Sequence, residues 1–178
     1  MNAIGEAPSV VLYNPKYPHN VGAVLRSCAA FGMKQLWFTG ERAQSQWEAA
    51  RRIPREERLR DYASVELRKG EGRFLDTEFP DGTVPVAVEV HPGAEVLTYF
   101  EHPENAVYVF GPEDGSLPRG ILTACHRVVI LPSDHCLNLA TAVSCTLMHR
   151  RMQRQLVGLE GVRPASQMML EPRRGNVD

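Results

Sequence analysis

Hydrophobic positions along the chain form two kinds of run, which predict alternating strands and helices. Five short apolar runs, typical of strands buried on both faces of a sheet, lie at 9–14, 34–38, 83–90, 106–111 and 127–132. Between the first two, apolar residues at helical spacing predict a helix over 20–31, and Gly32 stands where that helix would end. A last helix is predicted over 137–155, with apolar side chains recurring along one side.

The alternation of strands with helices predicts an α/β fold, in which helices cover both faces of a mostly parallel sheet. Residues 1–157 are expected to form one domain, followed by a C-terminal tail at 158–178. In sheets of this class, ligands bind beyond the carboxyl ends of the strands. The loops in which a site is expected follow Tyr13, Val90, Phe110 and Leu131.

Charge and hydropathy narrow the class of protein. The 178 residues carry 20 Lys and Arg against 21 Asp and Glu, for a formal net charge of −1. Near neutrality argues against a nonspecific nucleic-acid coat protein but leaves room for a local basic patch. No apolar run approaches the roughly 18–20 residues that span a bilayer, and the first ten residues lack a signal-peptide pattern. We therefore expect a cytoplasmic protein with no membrane partner.

The four cysteines, Cys28, Cys125, Cys136 and Cys145, contain no CxxC pair. This spacing does not suggest a metal site, and we expect buried thiols in a reducing compartment. Cys136 follows His135, but adjacent residues rarely form a catalytic dyad, so covalent cysteine catalysis is not expected.

Three of the expected loops carry polar residues that could bind a ligand. Asn20 and Arg26 lie on the first predicted helix, so an Asn20 cap would place Arg26 within two turns of the helix start. Glu113 follows the fourth strand within GPEDGSLP, and Asn138 stands at the start of the last helix. Ordinary alternatives stay open: helix capping for both asparagines, an acidic residue at a helix start for Glu113, and an arginine reaching solvent for Arg26.

The polar segment 41–61 is rich in arginine, and two interpretations of it stay open. It could be a solvated helix and loop in which glutamates pair with arginines. Alternatively, its guanidinium groups could form a local face that contacts phosphate oxygens.

Three motifs follow one another in a specific order. Asn-x-Gly-(x)3-Arg with a later aromatic-Gly pair lies at 20–32, Gly-x-Glu followed by Leu-Pro at 111–118, and Leu-Pro followed by Cys-Leu-Asn-Leu at 131–139. Together they resemble the SpoU (TrmH-like) branch of the SPOUT superfamily, the RNA ribose 2′-O-methyltransferases. The chain departs from the usual pattern at Ser116, Cys136 and Ala140, where Gly, Ser and Ser are common.

The resemblance implies a C-terminal trefoil knot, S-adenosylmethionine as the methyl donor, and a homodimer with a shared active site. The family positions that would contact the cofactor correspond to Val88, Glu89, Val90, Gly111, Ile130, Leu131, Cys136 and Leu137. The residues that would carry catalysis correspond to Arg26, Asn20, Glu113 and Asn138. Because arginine stays protonated in proteins, we expect Arg26 to orient a phosphate and stabilise the developing alkoxide rather than act as a base.

The RNA substrate is expected to be tRNA, because no added RNA-binding domain precedes Ser9. That build resembles the small members of the family that modify the anticodon wobble ribose. The candidate RNA-contacting residues are Arg42, Arg51, Arg52, Arg55, Arg58, Arg150, Arg151 and Arg154. Two alternatives stay open: an rRNA substrate, or a noncatalytic RNA-binding module that keeps the fold.

Overall fold

The computed structural model describes residues 5–43, 45, 64–70, 79 and 81–161. Within this part of the chain, seven strands form one parallel sheet, which confirms the expected α/β class. The strands are β1 (Ser9–Leu12), β2 (Gln35–Phe38), β3 (Glu66–Lys69), β4 (Val84–Val88), β5 (Glu95–Val96), β6 (Ala106–Phe110) and β7 (Arg127–Ile130). The α-helices described here are α1 (Pro18–Phe31), α2 (Arg119–Ala124) and α3 (Leu139–Leu156), and a 3-10 helix covers Leu97–Tyr99.

The strand order is β3-β2-β1-β6-β4-β7-β5, and a topological switch point lies between β1 and β6. From β1 the chain moves outward through β2 and β3, whereas the four later strands lie on the other side of β1. Since β1 and β6 are parallel, their carboxyl ends meet at one edge of the sheet, with Leu12 beside Phe110. The loops leaving these two strands lead to different helices, and such a switch point is where open α/β sheets bind ligands.

Two apolar layers cover the two faces of the sheet. One layer joins β1 to α1 and α3 through Val10, Val24 and Val143, all of them fully buried. The other packs Val11 against Ile121 of α2. Alternate residues of β1 therefore face opposite layers, as the period-two geometry of a strand requires.

The helix boundaries correct one expectation about Asn20. Helix α1 begins at Pro18, whose fixed φ and missing N–H suit the first helical position, and Tyr17 is the residue at its N-cap. Asn20 therefore lies inside the first turn and does not cap the helix, which leaves its side chain available for other contacts. At the other end, Gly32 has φ 73° and closes the helix as predicted.

The two outermost strands, β3 and β5, were not predicted from the hydrophobic pattern. Strand β3 has the sequence ELRK with alternating exposed and half-buried residues, and β5 consists of two exposed residues. Edge strands of parallel sheets are often short and charged, because such side chains discourage pairing with other chains. A search for buried apolar strands therefore misses them.

The cysteines differ in exposure, contrary to the expectation that all four are buried. All are free thiols, with Cys28 and Cys125 buried and Cys136 and Cys145 exposed. Burial raises the pKa of Cys125 to about 12, so this thiol is not poised to react at neutral pH. Across the described ranges, the His, Cys, Asp and Glu side chains form no group of three suited to a metal ion. In the same part of the chain, no helix combines the length and hydrophobicity needed to cross a bilayer.

Candidate active site

Three of the four predicted catalytic residues meet at the switch point between β1 and β6. The Asn20 side-chain amide donates to Glu113 Oε1 at 2.7 Å. The Asn138 amide donates in turn to Asn20 Oδ1 at 3.0 Å. We call these three side chains the amide–carboxylate network. It joins α1, the loop after β6 and the start of α3, so residues far apart in sequence form one unit.

Glu113 also holds the loop that leads from β1 into α1. Its Oε2 accepts a hydrogen bond from the main-chain N–H of Lys16 at 2.7 Å, and its Oε1 accepts one from Tyr17 at 3.3 Å. With Asn20, three donors converge on one carboxylate. The two main-chain donors lie at and just before the N-cap of α1, where backbone N–H groups lack partners within the helix. Glu113 thus fixes both the start of α1 and the side chain of Asn20.

Asn138 combines the two roles that its sequence position left open. It is the N-cap of α3, where its Oδ1 accepts from the main-chain N–H groups of Ala140 at 2.9 Å and Thr141 at 3.3 Å. Its amide nitrogen remains available for Asn20. Capping and site assembly are therefore performed by opposite ends of one side chain.

Arg26, the fourth predicted catalytic residue, is exposed on α1, six residues beyond Asn20. Its helix is held at the site by the amide–carboxylate network and packs along α3. An exposed guanidinium on such an anchored helix faces the solvent from which a ligand would approach.

A cavity of about 350 Å³ opens beside the network, within the size range of small-molecule sites. Its wall comes from the loops after β4, β6 and β7 and from the start of α3. All eight residues expected to contact a cofactor line it: Val88, Glu89, Val90, Gly111, Ile130, Leu131, Cys136 and Leu137. The expected cofactor loop 130–137 also contains Ser133, Asp134 and His135, which line the cavity, whereas the sequence reasoning missed Leu139 and Ala142. Leu139 and Ala142 lie in the first turn of α3, directly after that loop, and this position was the signal that could have found them.

Two of the cavity loops are tied together by Glu89. Its carboxylate accepts hydrogen bonds from the main-chain N–H of Leu117 at 2.8 Å and of Val90 at 2.9 Å. Gly111 lies against the same contact: a Cβ there would come within 3.3 Å of Glu89 Oε2 and 3.3 Å of Leu117 N. The absence of a side chain at Gly111 therefore lets the two loops approach closely at the cavity wall.

One predicted RNA-contacting residue is corrected by the structure. Arg150 is only 4% exposed, and its guanidinium donates to the main-chain oxygen of Glu104 at 3.0 Å. Burial lowers its pKa from the usual value, as expected for a cation removed from water. A guanidinium enclosed in this way cannot contact RNA phosphates, so Arg150 is a structural residue of α3.

The other candidate arginines differ in position. Arg151 and Arg154 are half-buried and both pair with Glu160, at 2.8 and 2.6 Å. Arg42 contacts both carboxylate oxygens of Asp114, at 2.9 and 2.8 Å, directly beside Glu113. The remaining candidates lie outside the described residues: Arg51, Arg52, Arg55 and Arg58.

The relationship to known proteins agrees with this geometry. A model of the SpoU rRNA methylase family matches residues 7–148. The chain belongs to this family. The match spans the amide–carboxylate network and the cavity loops, and it confirms the family resemblance carried by the three motifs. A SpoU methylase is an RNA methyltransferase, and enzymes of this family use S-adenosylmethionine.

Three similar proteins illustrate the relationship of this SpoU methylase to known ones. The tRNA (cytidine(34)-2′-O)-methyltransferase of Escherichia coli (strain K12) is 26% identical over 141 residues, covering 76% of this chain and 87% of the relative. A structure solved to study 2-OH methylation of C/U34 on tRNA is 28% identical, with a TM-score of 0.66 over 84% of this chain and 96% of that one. The SpoU methyltransferase AviRb from Streptomyces viridochromogenes, in complex with AdoMet, shares the fold at 20% identity and a TM-score of 0.62, over 83% and 60% of the two chains.

Proposed function

We propose that this SpoU methylase transfers the methyl group of S-adenosylmethionine to a ribose 2′-hydroxyl of tRNA, at the wobble nucleotide 34. The observation that carries the proposal is the amide–carboxylate network at the rim of the cavity, on the helix that presents Arg26. The choice of tRNA over rRNA is supported by the similarity to a tRNA (cytidine(34)-2′-O)-methyltransferase and to the structure solved to study 2-OH methylation of C/U34 on tRNA, which are matched over 87% and 96% of their chains.

The residues that line the cavity suit the chemistry of the cofactor. Apolar side chains of Val88, Ile130 and Leu137 line it and would cover the adenine ring. The close approach of backbone at Gly111 leaves main-chain groups available to the polar atoms of the ligand. When bound, S-adenosylmethionine supplies an electrophilic methyl group on its sulfonium.

Arg26 would act on the RNA side of the reaction. Its guanidinium remains protonated, so it can bind the phosphate beside the target ribose and stabilise negative charge that develops on the 2′-oxygen. This assignment gives Arg26 an electrostatic and positioning role. The amide–carboxylate network would hold α1 so that Arg26 meets the ribose at a fixed position beside the cavity.

Two further features of the family belong to the proposal: the C-terminal trefoil knot and the homodimer with a shared site. The knot is supported by the loops after β6 and β7, which line one cavity, and by α3, which returns to pack on α1. The dimer is supported by exposed apolar side chains along α3, where Met148, Met152 and Leu156 are 47%, 49% and 84% exposed. An apolar strip of this kind is typical of a surface that another chain covers.

The proposed domain boundary and location follow from the same reasoning. Helix α3 ends at Leu156, which supports a catalytic domain over 1–157 followed by a tail at 158–178. A tRNA-modifying enzyme acts where tRNA is present, and four free thiols suit a reducing compartment. We therefore place the protein in the cytoplasm.

The test is incubation with total RNA and methyl-labelled S-adenosylmethionine, followed by mapping of the methylated nucleotide. We expect label at nucleotide 34 of tRNA, and loss of label in Arg26→Ala with unchanged cofactor binding. Label confined to rRNA would overturn the choice of substrate. A failure to bind S-adenosylmethionine at millimolar concentration, measured by calorimetry, would overturn the enzymatic proposal and favour a noncatalytic RNA-binding module.

A further inference from the structure

Two aromatic rings are stacked on the outside of the loop that joins β1 to α1. The rings of Tyr17 and His19 have centroids 5.3 Å apart and an interplanar angle of 18°. Tyr17 is 37% exposed and His19 is also exposed, so the pair presents ring surface to solvent. Exposed parallel rings offer a surface on which another flat ring can stack.

This pair is held beside the catalytic residues. The main-chain N–H of Tyr17 donates to Glu113 Oε1 at 3.3 Å, and that oxygen also accepts from Asn20, the residue that follows His19. Pro18 lies between the two rings in sequence and restricts the backbone there. The same carboxylate therefore binds both the backbone of Tyr17 and the side chain of Asn20, which places the two rings beside the amide–carboxylate network.

Positive charge flanks the stacked pair. Lys16 Nζ lies 5.2 Å from the centroid of the Tyr17 ring and 3.1 Å from a carboxylate oxygen of Asp114. The same carboxylate binds Arg42. The Asp114 carboxylate thus binds both Lys16, which lies over the Tyr17 ring, and Arg42.

We propose that Tyr17 and His19 form a stacking platform for an unpaired base of the substrate RNA, and that Lys16 and Arg42 contact the adjoining phosphate. The platform rests on the proposed function and specifies how RNA reaches the site. Single-stranded RNA is recognised by stacking of bases on aromatic side chains, together with cations that neutralise the backbone. The alternative is a local role, in which the ring pair only stabilises the start of α1.

The test compares Tyr17→Ala and His19→Ala with the wild-type protein, on an anticodon stem-loop RNA with 2-aminopurine beside the target nucleotide. Each variant is expected to raise the Kd and KM for RNA by about tenfold, within the range for loss of one stacked base, with a smaller change in kcat. The 2-aminopurine fluorescence, quenched by stacking in the wild type, should recover in the variants. Tyr17→Phe keeps the ring and should restore most of the affinity.

His126→Ala is the matched control, since His126 is also exposed but precedes β7 at the opposite edge of the sheet. It should bind and methylate RNA like the wild type. A Tyr17→Ala protein with wild-type RNA affinity would overturn the platform while the proposed function stands. A parallel loss of thermal stability and cofactor affinity in that variant would also overturn it, in favour of the local role. A wild-type protein that neither binds nor methylates RNA would overturn the proposed function itself.

Discussion

Replacing Glu113 with glutamine tests whether the amide–carboxylate network supports catalysis. The carboxylate accepts from three donors, the main-chain N–H of Lys16 at 2.7 Å, that of Tyr17 at 3.3 Å, and the Asn20 amide at 2.7 Å. A glutamine of the same shape has one accepting oxygen, and its amide nitrogen must face at least one of these donors. The substitution therefore removes at least one hydrogen bond and places two donors in contact.

The size of the effect follows from the lost contact. A hydrogen bond to a charged group contributes about 1.5–3 kcal/mol, and the half-buried position of Glu113 favours the lower part of that range. If the network is needed in the transition state, Glu113→Gln should lower kcat by about 10- to 30-fold, at about 1.4 kcal/mol for each factor of ten. Binding of S-adenosylmethionine should change little, because the cavity is lined mainly by other residues.

The assay is steady-state methylation of an anticodon stem-loop, with calorimetry of cofactor binding on the same preparations. Glu104→Gln serves as the control, since Glu104 is exposed and its carboxylate lies 3.8 Å from Arg154, in an ion pair far from the network. A Glu113→Gln protein whose kcat stays within twofold of the wild type would refute the reasoning. Loss of cofactor affinity in proportion to kcat would also refute it, by showing a general collapse of the site.

Three further predictions follow from other contacts. Gly111→Ala should weaken S-adenosylmethionine binding several-fold in calorimetry, because the new Cβ would crowd the Glu89–Leu117 hydrogen bond; unchanged affinity would contradict this. Arg150→Ala should lower the free energy of unfolding in urea by about 2–3 kcal/mol, whereas exposed ion pairs contribute at most about 1 kcal/mol. An RNA affinity equal to that of the wild type would confirm the structural role of Arg150, and a selective loss of RNA binding would refute it. Burial, aided by nearby positive charge, lowers the pKa of His102 to about 3, so this residue stays neutral in the folded protein while its unfolded form takes a proton below about pH 6.5. Stability should therefore fall as the pH drops from 6.5 towards 3, by less than about 1.4 kcal/mol per pH unit, and His102→Gln should flatten that slope in urea titrations; parallel slopes would rule this out.

The spacing of apolar residues alone predicted the central strands and the two long helices. These elements are buried, so the positions of their apolar side chains indicate which face is covered. Strand β3 escaped prediction because its ELRK sequence suits an exposed edge. The start of α1 was placed two residues late because Asn20 was considered as a cap, whereas Pro18 occupies the first helical position. One error concerns a sheet edge and the other a helix start, and at such exposed positions burial does not constrain the residue type.

The sequence identified which residues form the site, but it did not predict how they contact one another. Motif spacing identified the residues of the amide–carboxylate network, but only the strand order brings α1, the β6 loop and α3 to one edge. The error at Arg150 had a signal in the sequence. Val143, Leu147 and Arg150 follow one another at intervals of four and three residues, which places the arginine on the buried stripe of α3, while Arg151 lies beside that stripe.

Within the network, the direction of each hydrogen bond follows from Glu113, because a carboxylate only accepts. Asn20 must turn its amide nitrogen towards Glu113, which leaves its oxygen for Asn138. Asn138 must then present its own nitrogen to Asn20, so its oxygen remains to cap α3 at Ala140 and Thr141. Turning either amide over would bring two donors or two acceptors together. One acidic residue therefore orients both asparagines.

The hydrogen bonds of the network do not involve the side chains at the positions where the sequence departs from the family pattern. Ser116 and Cys136 lie outside the chain of hydrogen bonds, and Cys136 lines the cavity. Ala140 takes part only through its main-chain N–H, which any residue except proline would supply. The departures therefore leave the amide–carboxylate network complete, and of these three residues Cys136 is the one that lines the cavity. A noncatalytic module would be free to lose the polar contacts of the network, whereas here the amide nitrogen and the amide oxygen of Asn20 and of Asn138 each have a partner.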